Sequence, residues 1–194
     1  MDKDLFNLRT RVSSISQLSD EEWQVFQGRW ESIAVPRKRM ITDKGQTEKY
    51  LYFITAGLQR VYYQDERNRE ATIVFTYPNS FGGVLDSMLS ETPSRYFYES
   101  LTKSAFLRIT YASLKALMDQ YPGIQRMVTT ALSGTISGLL ERQVELQCFS
   151  SEEKFRIMFQ RSPHILNMIP HKYIASYLGI DATNFSKLLN RVKI

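Results

Sequence analysis

Residues 171–193 read H-K-Y-I-A-S-Y-L-G-I-D-A-T-N-F-S-K-L-L-N-R-V-K, and no other stretch restricts the fold so tightly. Two short helical patterns meet at Leu178-Gly179-Ile180. Helices that cross steeply over so short a turn need a small residue at the crossing, a turn residue that tolerates positive φ, apolar residues to hold the pair together, and a cap on the second helix. Ala175 meets the first demand and Gly179 the second; Ile174, Leu178, Ile180, Phe185 and Leu188 meet the third, and Asp181 the fourth. An αα-hairpin without that crossing has no need to satisfy all of them at these spacings, so a helix-turn-helix is expected. Its second helix would present Ala182, Thr183, Asn184, Ser186, Lys187, Asn190 and Arg191 to solvent. Short polar and basic side chains suit base edges and phosphates. Thr183, Asn184 and Lys187 are expected at bases. Ser186, Asn190 and Arg191 are expected mainly at phosphates, with Lys172 added from the first helix. Asp181 itself disfavours a nearby phosphate.

The charge distribution agrees. Residues 151–194 hold seven Lys/Arg against three acids, whereas residues 1–150 hold 18 against 17. A nearly neutral body with a basic tail suits a polyanion at the tail, the alternative being a solvated basic surface. The single cysteine, Cys148, excludes an intrachain disulfide, a four-cysteine zinc site and a cysteine-held iron–sulfur cluster. It points to a reducing, cytoplasmic setting. Residues 1–30 have no apolar signal-peptide core, and no apolar run is long enough to span a bilayer.

Upstream, Ser19 and Glu22 make a capping box ahead of Trp23, Phe26 and Trp30 at helical spacing, with Pro36 ending the helix. Apolar and β-branched runs at 50–55, 58–63, 71–77, 96–101 and 105–110 alternate with turn signals, which predicts an antiparallel sandwich or roll. A short helix is expected over 111–121. From Pro122 to about residue 149, Ile124, Met127, Val128, Ala131, Leu132, Ile136, Leu139, Leu140 and Val144 mark one stripe of a long amphipathic helix. That stripe either packs on its own sheet or pairs with a second copy; its position between two domains favours pairing through Leu132, Ile136, Leu139 and Leu140. Ser150 and Glu153 form another capping box, and that helix ends before Pro163. Only Val192-Lys193-Ile194 follow the helix-turn-helix, too few residues for a C-terminal wing.

In this order of parts the chain resembles the cyclic AMP receptor protein, or CRP/FNR, family of bacterial transcription regulators. K-G-Q-T-E-K-Y-L-Y-F-I-T-A-G-L-Q-R-V-Y-Y (44–63) is similar to the family's roll signature, and Y-I-A-S-Y-L-G-I (173–180) to its first DNA-binding helix and turn. The resemblance implies an α+β chain: residues 1–121 as a cyclic-nucleotide-binding-like antiparallel β-roll with flanking helices, 122–149 as the dimerisation helix, and 150–194 as a wingless helix-turn-helix domain. It also implies that 79–99 is the phosphate-binding cassette. There a Gly-Glu pair holds the ribose, and an Arg followed by small residues holds the cyclic phosphate. Gly82, Gly83 and Arg95 stand in place, but Val84 replaces the glutamate and Tyr96-Phe97 replace the small residues. Leu139 and Leu140 stand where adenine readers use Thr and Ser. Binding of cyclic AMP is therefore not expected, and Arg95 is left to pair with Glu99 or Asp86 or to hold another anion. Ala182-Thr183-Asn184 replace the Arg-Glu-Thr with which many members begin the recognition helix, so their operator is not carried over.

The resulting expectation is a non-enzymatic, homodimeric, sequence-specific DNA-binding regulator. Its partners would be double-stranded DNA, a second copy, RNA polymerase and an unknown effector or none, with no cofactor, no metal and no membrane. His164 and His171 both fall in the C-terminal part, away from the roll interior where a haem or metal-dependent enzyme of this shape would need them. The alternative is a regulatory or scaffold module that does not bind DNA.

Overall fold

The computed structural model describes residues 2–162 and 165–191. Packing divides the chain into two compact units. One comprises Met1–Val61 and Phe75–Thr135, the other Tyr62–Val74 and Ile136–Ile194.

The N-terminal unit opens with α1 (Asp2–Ser13) and α2 (Asp20–Gln27). The α2 cap is as the sequence implies: Glu22 N–H donates to Ser19 Oγ at 3.1 Å and Ser19 N–H to the Glu22 carboxylate at 2.9 Å. That carboxylate also accepts the Gly123 N–H at 2.8 Å, so one side chain caps α2 and anchors the start of a second helix. The backbone N–H of Ser19 holds Glu22 below the ordinary carboxylate range, and that of Gly123 adds to it.

The helix does not continue to Pro36. Gly28 ends α2, and residues Glu31–Val35 form β1, paired antiparallel with β8 (Ser104–Thr110). Trp30 still packs on Phe26, with ring centroids 5.5 Å apart, but from beyond the helix end. Strands β2 (Met40–Thr42), β3 (Tyr50–Ala56), β4 (Gln59–Gln64), β5 (Glu70–Thr76), β6 (Phe81–Gly82) and β7 (Phe97–Ser100) complete two four-stranded sheets, ordered β1-β8-β3-β6 and β2-β7-β4-β5. The expected strands are all present. Strands β1, β2 and β6 and helices α1 and α3 (Leu85–Ser90) are additions to the sequence reading.

The Y-L-Y-F-I and A-F-L-R-I runs are nearly all apolar because their sheet is buried on both faces. Tyr52, Ile54 and Phe106 join Val61, Val84 and Tyr98 in the roll interior. Phe53, Leu107 and Ile109 turn the other way, onto Leu8, Val12, Trp23, Phe26 and Trp30. Leu114 and Leu117 of α4 (Tyr111–Gln120) and Ile124, Met127 and Val128 of α5 (Pro122–Cys148) close that outer core.

In the second unit, α6 (Ser151–Arg161) starts at Ser150, with the expected capping box to Glu153. It is followed by α7 (Ile165–Met168), α8 (His171–Leu178) and α9 (Ala182–Arg191). His164 and the three residues after α9, on which the wingless reading rests, lie outside the described residues.

Candidate functional site

Helices α8 and α9 meet at Gly179, which is left-handed at φ 64°. Ile180 N–H returns to the Ala175 carbonyl at 3.0 Å. Asp181 caps α9: its carboxylate accepts the Asn184 N–H at 2.9 Å and its carbonyl the Phe185 N–H at 2.9 Å. Ile174, Ala175, Leu178, Ile180, Phe185 and Leu188 are all buried, as the spacing demanded. Phe185 packs on Phe155 of α6, with centroids 5.5 Å apart, and on His171.

The outer face of α9 carries Ala182, Thr183, Ser186, Lys187, Asn190 and Arg191 exposed and Asn184 half-buried. Ser186 Oγ donates to the Ala182 carbonyl at 3.0 Å. Lys172 is exposed, with its ammonium 4.6 Å from the Tyr173 ring centroid. Arg191 is not free: it pairs with Glu152 at the start of α6, which also takes Arg156 at 2.9 Å. Hydrogen bonds from Arg156 and then Arg191 hold the Glu152 carboxyl below its ordinary range.

Two features of this unit were not anticipated. Glu145 on α5 is 8% exposed and lies between Arg142, at 2.8 Å, and Arg161, at 2.5 Å. Arg142 donates in turn to the Tyr177 carbonyl in the last turn of α8, and its guanidinium stacks 4.2 Å from the Tyr177 ring centroid. With Leu146 facing Gly179, this clasp holds the helix-turn-helix on the end of α5. The second feature is at Ser176, which accepts the Thr72 N–H at 3.0 Å and donates to the Glu70 carbonyl at 3.3 Å. It ties the edge of β5 to α8.

In the cassette, Gly82 and Gly83 are buried, and Gly83 sits at φ +119°, where a side chain would be strained. A Cβ on Gly82 would come within 2.7 Å of the Tyr98 hydroxyl. Val84 is buried among Tyr52, Tyr98 and Phe106. Arg95 is exposed, 5.9 Å from the Tyr96 ring centroid, and has no ion pair among the described residues. Glu99, one of its expected partners, is taken by the buried Arg60 at 2.5 Å.

A carboxylate does stand beside the cassette turn, but from elsewhere in the chain. Glu48 accepts from Thr42 Oγ1 at 2.5 Å and from the Lys49 and Tyr50 N–H groups at 2.9 and 3.1 Å, beside Gly83. Its own N–H donates to Ser87 Oγ on α3 at 3.0 Å. Burial pushes its pKa up, and the Thr42 hydrogen bond only partly offsets this. A cavity of about 500 Å3 is lined by Glu48 with Thr42, Tyr50, Tyr52 and Arg108; none of Gly82, Gly83, Val84, Arg95 or Tyr96 lines it. Arg108 there pairs with Glu31 at 2.6 Å and stacks 4.2 Å from the Tyr50 ring centroid.

Along α5, Leu132 packs against its own outer core. Ile136, Leu139, Leu140 and Val144 are 58, 54, 63 and 52% exposed. Cys148 is exposed. Among the described residues there is no cluster of metal-ligating side chains, and no helix is long and apolar enough to cross a membrane.

Residues 33–121 match the family described as the cyclic nucleotide-binding domain. This stretch is similar to that domain. The chain that contains it has the fold of CRP/FNR transcription regulators. It is similar to FixK2 from Bradyrhizobium japonicum, with a TM-score of 0.74 and 15% identity over 84% of this chain and 83% of that one. It is similar to the c-di-GMP-responsive global regulator CLP of Xanthomonas campestris, with a TM-score of 0.66 and 14% identity over 89% and 91%. For the Thermus thermophilus catabolite activator protein the values are 0.57 and 19% over 89% and 83%. No curated protein sequence matches the chain.

Proposed function

We propose that the chain is a homodimeric, sequence-specific DNA-binding transcription regulator of the cytoplasm that does not respond to cyclic AMP. In this reading residues 1–121 are the effector-type domain, 122–149 the dimerisation helix and 150–194 the DNA-binding domain. RNA polymerase is a further partner wherever the protein activates. The observation that carries it is the capped, acid-free face of α9, with Thr183, Asn184 and Lys187 at its front. Asn can bind adenine with two hydrogen bonds and Lys can reach guanine, each worth about 1–3 kcal/mol of discrimination. The exposed apolar stretch of α5 supports a dimer, and a dimer is what reads half-sites about 34 Å apart.

Competition binding on a randomised duplex library at two salt concentrations tests this. Lys187→Ala should flatten the preference at one position per half-site. Arg191→Ala should weaken all sequences alike and lower the salt slope by about one unit per subunit. The Arg191–Glu152 pair favours the second reading, a scaffold module, because it already neutralises one of the few cations on this face. A sequence preference that survives Lys187→Ala, or no salt-dependent binding at all, would move the conclusion there.

A further inference from the structure

The N-terminal unit holds another cavity, of about 510 Å3, that the DNA-binding reading does not use. It lies on the helix-covered side of the β1-β8-β3-β6 sheet and is bounded by α1, α3 and α5. Phe26, Leu114 and Met127 lie beneath it and are at most 3% exposed, so the hollow rests on the core. Met88 and Leu89 of α3 line it, as do Val128 and Ala131 of α5. The volume falls within the range of about 300–1,000 Å3 typical of small-molecule sites.

Polar chemistry is sparse here and includes one charge. Ser80 and Thr135 are already committed to their own backbones, through the Tyr77 and Ala131 carbonyls. Arg11 on α1 is exposed and has no ion pair among the described residues. Its polar contact is Nη1 to Ser14 Oγ at 3.5 Å, too long for a sound hydrogen bond. A guanidinium fork at the edge of an apolar hollow is built for an amphiphile with a flat anionic head.

We propose that this cavity binds a medium-chain acyl carboxylate, with the tail along Leu89 and Ala131 and the head on Arg11. A second copy of α5 is a weaker candidate for the space. Between Pro122 and Leu140, α5 carries no acid that could meet Arg11. The bound tail would touch α3, which directly follows Gly83-Val84, and α5 together. It would thus stiffen the packing between the cassette helix and the long helix. The proposal does not depend on DNA binding.

The test is calorimetric titration of the full chain with octanoate, decanoate and dodecanoate below their micelle concentrations. Each added methylene should tighten binding about fourfold until the cavity is full. Arg11→Gln should weaken decanoate about tenfold or more while leaving decanol unchanged. Ala131→Phe and Leu89→Phe, on α5 and α3, should each abolish binding while the near-UV spectrum of the folded protein is retained. Affinity that does not change with chain length, or Phe variants that bind as before, would overturn the proposal. So would decanoate binding only to a monomeric Ile136→Glu variant, since a second copy would then be the occupant.

Discussion

Replacing Glu145 with alanine would leave Arg142 buried without its anion. Arg142 is 12% exposed and Glu145 8%, and their 2.8 Å contact is the best-shielded ion pair of the C-terminal unit among the described residues. Removing one member of a buried pair costs about 3–5 kcal/mol. Arg161, the other partner, is 57% exposed, and an ion pair that open adds no more than about 1 kcal/mol. Arg142 keeps the Tyr177 carbonyl and ring, which places the whole effect near the lower end, about 3 kcal/mol. In a unit of this size, 1 kcal/mol moves the melting midpoint by about 4–8 °C, so a drop of roughly 12–24 °C is expected in the transition that reports the helix-turn-helix. Hydrogen exchange locates it. Protection of α8 amides should fall about a hundredfold, because each 1.4 kcal/mol is about a factor of ten, while β8 amides keep theirs. Glu145→Gln retains the shape and one acceptor and should lose about half as much free energy. If α8 protection is unchanged in Glu145→Ala, the clasp does not hold the helix-turn-helix. If α8 and β8 lose protection equally, the two units do not open separately.

Leu139→Glu and Ile136→Glu should each convert a dimer to a monomer by light scattering without lowering the melting point of the monomeric unit, because both side chains are more than half exposed in the single chain; an unchanged dimer places the interface elsewhere. Cyclic AMP and cyclic GMP should bind no more tightly than about 1 mM, or roughly −4 kcal/mol, in calorimetry; micromolar affinity for either would show that Val84 and Tyr96 leave the site open. Glu48 should make stability pH-dependent in an identifiable direction. Burial raises its folded-state pKa above the ordinary value near 4.5. Its contribution is therefore fully present below that value and is lost as pH rises through the folded pKa. Glu48→Gln removes that loss, so its melting point relative to wild type should climb as pH rises from 4.5 through the folded-state pKa; a difference that stays flat above pH 4.5 refutes the assignment.

The C-terminal fold was legible because its geometry demands particular residue types. Gly179 had to be left-handed and Ala175 had to be small, and both demands are visible in the letters. Capping boxes at Ser19 and Ser150 were legible for the same reason: a hydroxyl and a carboxylate spaced three residues apart answer a local need of the backbone. Trp30 shows where such reading stops. It continues the Trp23–Phe26 spacing and shares their core, yet it lies past the end of α2, because tertiary burial does not require the helical period to come from a helix. Strands as short as β2 and β6 contain too few residues to show any period. The Arg142–Glu145–Arg161 clasp and the buried Glu48 were illegible for another reason. Glu48 sits between Thr47 and Lys49 with no pattern that marks it for burial, and only the fold brings the Thr42 hydroxyl to it.

Glu48 also answers the question raised by Val84. Val84 offers a sugar no carboxylate, and Glu48, whose carboxylate lies beside Gly83, already accepts from Thr42, Lys49 and Tyr50, so little of it remains for a sugar hydroxyl. On the opposite sheet, Tyr98 fills the space beside Gly82, and Glu99 is consumed by Arg60. The positive-φ glycine of the cassette is thus retained while the carboxylate beside it is satisfied from within the chain. Arg95 is left outside, on the surface, with a neighbouring tyrosine ring in place of a buried phosphate. Under the proposed function, a small-molecule signal would be read by groups other than the cassette pair. Such groups are present at the Arg108–Tyr50 mouth of the roll and at the apolar cavity beneath Arg11.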